Sequence, residues 1–88
     1  ITRQVAALGD RLEATNQHAQ AARLYQRLVE QQPLAEDMVR RLMTCLLHLG
    51  QRAEALAAYR RCRQQLSVVL GVRPAAETEA IAAQLRSL

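Results

Sequence analysis

Apolar residues recur at helical spacing along the whole chain. Val5, Leu8 and Leu12 follow i, i+3, i+7, and so do Val39, Leu42 and Leu46. Ala21, Tyr25 and Leu28, then Ala55, Tyr59 and Cys62, follow i, i+4, i+7. At 3.6 residues per turn each set lies on one face of a helix and leaves the polar residues on the others. The pattern predicts helices at about 2–14, 18–32, 35–48, 52–70 and 74–87. Pro33 ends the second helix and restricts Gln32 to extended backbone. Gly71 falls where a helix C-terminus wants a residue at positive φ, and Pro74 where a first helical turn tolerates a missing N–H.

Two of these stripes are copies of the other two. A shift of 34 residues carries Val5 onto Val39, Leu8 onto Leu42, Leu12 onto Leu46, Ala21 onto Ala55 and Tyr25 onto Tyr59. It also carries Asn16 onto Gly50, and both residue types tolerate the left-handed backbone that ends a helix tightly. Ala21 and Ala55 leave room for a neighbouring helix to approach, and the tyrosine four residues on fills the space beside each.

This arrangement resembles the tetratricopeptide repeat, a helix–turn–helix unit with an alanine in its second helix, an aromatic four residues later and a closing proline. The resemblance covers residues 2–34 and 36–68. It implies an all-α fold: a right-handed stack of two helical hairpins, repeat one at 2–34 and repeat two at 36–70, with a closing helix at 74–87, all within one domain. Two positions depart from the pattern. Met43 stands where a small residue is usual (Gly9 in the first copy), and Ser67 replaces the closing proline. The fourth helix therefore runs on through Val68, Val69 and Leu70 to Gly71.

That extension narrows the resemblance. Glu54-Ala55-Leu56, Tyr59, Leu66, Leu70-Gly71-Val72-Arg73-Pro74 and Glu77 resemble the signature of the bacterial transcriptional activator domain. Pro33-Leu34, Glu36, Leu42-Met43, Leu46, Gly50 and Arg52 fit it too. In that family a tetratricopeptide-like module follows a winged-helix DNA-binding domain in antibiotic-pathway regulators. The resemblance implies a regulatory module acting through contacts with a protein partner or with another domain of its own chain, and it identifies no ligand. A tetratricopeptide scaffold in an assembly unrelated to transcription is the alternative. A chain that opens on Ile1 is expected to be part of a longer protein.

Composition and charge exclude several other functions. Eighty-eight residues, half of them apolar, suffice for one small globular domain. The net charge is +4, but all twelve cations are arginine and none is lysine, which reads as compositional bias. Arg23, Arg27, Arg60, Arg61 and Arg63 are expected on a solvated outer face balanced by Glu30 and Glu54, without direct nucleic-acid binding. Without lysine there is no phosphate-binding loop, and the H-E-x-x-H and zinc-ribbon spacings are absent. Cys45 and Cys62 read as buried free thiols, and His18 and His48 as exposed or capping residues at helix ends. No apolar run reaches the roughly 18 residues of a membrane span. The expectation is a non-catalytic, cytoplasmic domain with no catalytic residues, cofactor or metal.

In tetratricopeptide stacks the first helix of each pair lines the concave face. Spacing opposite the Val/Leu stripes then nominates a binding groove of Arg3, Ala6, Asp10 and Glu13 in copy one, with Asp37, Arg40, Thr44, Leu47 and His48 in copy two. The closing helix is expected to cover the fourth helix with Ile81 and Leu85, Ala80 and Ala83 lying nearby. The first helix lacks such a cover and offers a route to a homodimer or to an upstream repeat.

Overall fold

A computed structural model describes Leu8, Arg11 and residues 17–87. Its elements are α1 (His18–Gln31), α2 (Glu36–His48), α3 (Arg52–Gln65) and α4 (Ala76–Arg86), with α3 running directly into a π-helical turn, Leu66–Leu70. The described residues contain no strand. Helix ends fall within two residues of those the periodicity predicts. The predicted helix at 2–14 lies outside the described residues except for Leu8 and Arg11, which are both helical. Leu8, expected on a buried stripe, leaves 47% of its surface open.

One core draws on all four of α1 to α4. Ala21 and Tyr25 come from α1, Val39, Leu42, Met43 and Cys45 from α2, Ala55, Tyr59 and Cys62 from α3, and Ala82 and Leu85 from α4. The repeated alanine–tyrosine pairs are thus core pairs in both copies. Met43, at the site where small residues are usual, is fully buried. Among the described elements α2 packs against α1, α3 and α4 and so forms the centre of the molecule.

Two glycines set the helix ends. After α2, Gly50 takes φ 74°, its N–H donates to the Leu47 carbonyl and the Gln51 N–H to the Leu46 carbonyl. This pairing closes a helix on a left-handed residue. Gly71, at φ 65°, ends the π-helical turn, its N–H donating to Ser67 and the Val72 N–H to Leu66. That second acceptor lies one residue further back than at Gly50, as the wider i→i+5 winding of a π turn requires.

The closing helix buries Leu85 as expected and differs from expectation in three other respects. Its buried positions are Thr78, Ala82 and Leu85, while Ile81 is half-buried and Ala80 and Ala83 are exposed. The seated face also meets α2 as well as α3. Pro74 lies ahead of the helix and not in its first turn. Ala75 is the N-cap in extended backbone, and its N–H donates to Glu36 Oε1 at 2.8 Å. A proline at position 75 would lose that bond, so the ring sits one residue earlier.

Candidate interaction surfaces

The nominated groove residues do not share one environment. Arg3, Ala6, Asp10 and Glu13 lie outside the described residues. Asp37 and His48 are exposed at opposite ends of α2, and Leu47 is half-buried against the core. Thr44 donates its hydroxyl to the Arg40 carbonyl at 2.9 Å, one helical turn back. Arg40 is engaged with α4: its Nη1 donates to Thr78 Oγ1 at 3.0 Å, and that hydroxyl donates to Glu36 Oε1 at 2.9 Å. With the Ala75 N–H on the same carboxylate oxygen, a cation, a hydroxyl, an amide and an anion satisfy one another around a fully buried Thr78. Of the nominated groove residues, Arg40 is therefore part of the seat of α4.

A second polar contact holds the other side of the helix. The Tyr59 hydroxyl donates to Glu79, and the Arg86 guanidinium lies 5.4 Å from the centroid of the same ring. Burial, then the hydrogen bond to Glu79, pushes the Tyr59 phenol up from 10.0, with Arg86 opposing. Burial likewise raises the Cys62 thiol from 9.0, reinforced by the Glu36 charge and opposed by Arg40. A thiol raised in this way is protonated at neutral pH and a poor nucleophile. Cys45 and Cys62 are both buried and form no disulfide, as their sequence context predicts.

His18 and His48 stack, with ring centroids 4.6 Å apart and planes at 13°. The turn at residues 32–35 reverses the chain, so the N-terminus of α1 meets the C-terminus of α2. Thirty residues of separation hid this pair from a reading of the sequence. His48 is exposed as expected, whereas His18 is partly buried, and its Nδ1 has no hydrogen-bond partner among the described residues. No group of three or more potential metal ligands occurs among the described residues. None of the described helices is long and apolar enough to cross a membrane.

The arginines of α1 and α3 lie in solvent, as expected from the sequence. Arg23, Arg27, Arg60, Arg61 and Arg63 are exposed. Glu30, their nominated counterion, accepts from Gln26 Nε2 at 3.3 Å. Between α1 and α3 runs a groove in two adjoining parts, of about 540 and 350 Å³. Leu42, Leu46 and Ala22 line the first part, Val29 and Pro33 the second, and Gln26 and Arg61 border both.

Comparison with known proteins places the sequence. The family model described as the bacterial transcriptional activator domain matches residues 2–86. The transcriptional regulator RedD of Streptomyces coelicolor (strain ATCC BAA-471 / A3(2) / M145) is 39% identical over 77 residues, which cover 84% of this chain and 22% of that regulator. No solved structure matches.

Proposed function

The chain belongs to the bacterial transcriptional activator domain family, and from that premise we propose that it is the protein-interaction module of a transcriptional regulator, non-catalytic and cytoplasmic. Its helices are read as a right-handed tetratricopeptide-like stack, with hairpins at 2–34 and 36–70 and a closing helix at 74–87. The partner is another protein or another domain of the parent polypeptide, with a second copy of the chain as a further route through the uncovered first helix. The match over residues 2–86 favours regulation over a scaffold unrelated to transcription.

The observation that carries the reading is the polar seat of α4. Glu36, Arg40 and Thr78 are used to fix the closing helix on α2, so Asp37 and His48 are presented from a braced element. Side chains on rigid elements suit a docking surface, because little conformational entropy is lost on binding. With Arg3, Asp10 and Glu13 from the first copy they form the proposed groove, and Arg40 contributes to its frame.

The test is made in the parent regulator with Asp10→Lys plus Asp37→Lys, which spares Arg40. Transcription from a promoter that the regulator activates and affinity for that promoter's DNA are measured together. The reading expects transcription to fall several-fold with DNA affinity unchanged. Unchanged transcription, or a fall in step with DNA affinity, overturns it.

A further inference from the structure

Charge is distributed unevenly over the helices. The six arginines of α1 and α3 (Arg23, Arg27, Arg52, Arg60, Arg61, Arg63) exceed their two glutamates (Glu30, Glu54) by four, which is the whole net charge of the chain. Elsewhere, positive and negative residues cancel. The groove between these helices shows the apolar surface of Ala19, Leu49 and Ala57 as its floor, above the buried Leu42 and Leu46, and carries Arg23, Arg60 and Arg61 on its walls. None of those three makes an ion pair or hydrogen bond among the described residues. Arg61 stands where the two parts of the groove meet, since it borders both. Beyond Gln64 and Gln65, four residues on along the same helix, Val68 and Val69 leave 71% and 56% of their surfaces uncovered.

We propose that this groove is a second docking surface and that it takes an acidic amphipathic helix of a partner protein. The partner's apolar stripe lies on the floor and runs out toward Val68, and its carboxylates meet Arg61 at the centre and Arg23 and Arg60 on the walls. An apolar floor between cationic walls is the complement of a helix with an apolar stripe edged by acids. Nucleic acid fits the groove less well. A duplex presents phosphate charge at every step, and Glu30 and Glu54 border the groove among the arginines. No aromatic side chain lines it for bases to stack on. The inference rests on the protein-docking reading above but uses the groove between α1 and α3 and a different readout.

The experiment uses the 88-residue chain and three fluorescent probes, followed by anisotropy at low and at physiological salt. The first is a helix-forming peptide with leucines at three-four spacing flanked by glutamates. The second has the same composition with the leucines scattered, and the third is a short random-sequence DNA duplex. The striped peptide is expected to bind about ten-fold or more tightly than the scattered one, and Arg23→Glu plus Arg61→Glu to remove about ten-fold of that affinity. Ala57→Trp, which places a large ring in the groove without changing charge, is expected to weaken the striped peptide as well. Arg61→Gln serves where the double reversal does not fold. Equal affinity for both peptides overturns the proposal in favour of bare charge attraction. Tighter binding of the duplex overturns it in favour of nucleic acid, and indifference to all the groove variants overturns it outright. Failure here, with transcription still lost in the Asp10→Lys plus Asp37→Lys regulator, leaves the first surface standing.

Discussion

Thr78 has no exposed surface, yet it carries a hydroxyl, and every bond that hydroxyl makes is to a charged group. Removing it leaves the Arg40 guanidinium and the Glu36 carboxylate facing each other's space with one partner fewer each. Hydrogen bonds to charged groups contribute about 1.5–3 kcal/mol, and an unsatisfied buried partner adds its own desolvation cost. Thr78→Val, close in volume, is therefore expected to lower unfolding stability by about 2–3 kcal/mol. Thr78→Ser keeps the hydroxyl, loses one methyl group, and is expected to cost about 1 kcal/mol. Urea denaturation with an unchanged m-value measures both, and equal costs for the two variants would mean that the hydroxyl does not hold α4 in place. Nothing in Glu77-Thr78-Glu79 marks the middle residue as buried. A lone threonine between two acids reads as surface, and only the 42-residue return to Glu36 shows what it does. By contrast Ala21, Tyr25, Ala55 and Tyr59 were legible, because a small residue and an aromatic repeated together at a fixed interval mark a packing position that both copies share.

At the scale of the element, the chain reads well wherever a helix is stopped by backbone geometry. Gly50 and Gly71 both take positive φ, and the stops at both follow from the absence of a Cβ. A Cβ added to Gly71 would meet nothing within 4 Å, so substitution there tests backbone strain without packing. Gly71→Ala is expected to cost about 1 kcal/mol and Gly71→Asn about half as much, since asparagine visits the left-handed region more readily. Thermal or urea midpoints check the order, and an alanine variant as stable as the parent would mean that the end of the π turn relaxes freely. The π winding itself left no trace in the sequence: Leu66-Ser67-Val68-Val69-Leu70 has the composition of an ordinary helix end. The seated face of α4 was legible at Leu85 but not at Thr78 and Ala82. In an alanine-rich helix, Ala80, Ala82 and Ala83 weigh almost equally in any apolar stripe, and the polar Thr78 decides the register.

For the whole molecule, the site was less legible than the fold because it depends on which charges meet. Arg40 looked free at helical spacing but is committed to α4, and Glu30, expected to balance the arginines of α1 and α3, takes its hydrogen bond from Gln26. The shared core also sets how cooperatively the molecule unfolds. α4 contributes Ala82 and Leu85 to the same core as Tyr59 and Cys62 and is tied to α2 and α3 by separate polar contacts. It therefore belongs to one cooperative unit with the repeats and does not come away first. Leu85 is fully buried, and Leu85→Ala should cost about 2–5 kcal/mol, a large share of the total of about 4–13 kcal/mol that roughly 0.05–0.15 kcal/mol per residue gives for 88 residues. The Cys62 thiol reports on the opening, because it is buried and raised in pKa and so reacts only when the structure around it parts. Urea unfolding followed by far-ultraviolet circular dichroism and by Cys62 labelling, in a Cys45→Ala background, should give one midpoint for the parent and one lower shared midpoint for Leu85→Ala. Labelling that runs ahead of the loss of helix in either protein would show α4 lifting from an intact stack, and would make the closing helix a movable cover instead of a fixed one.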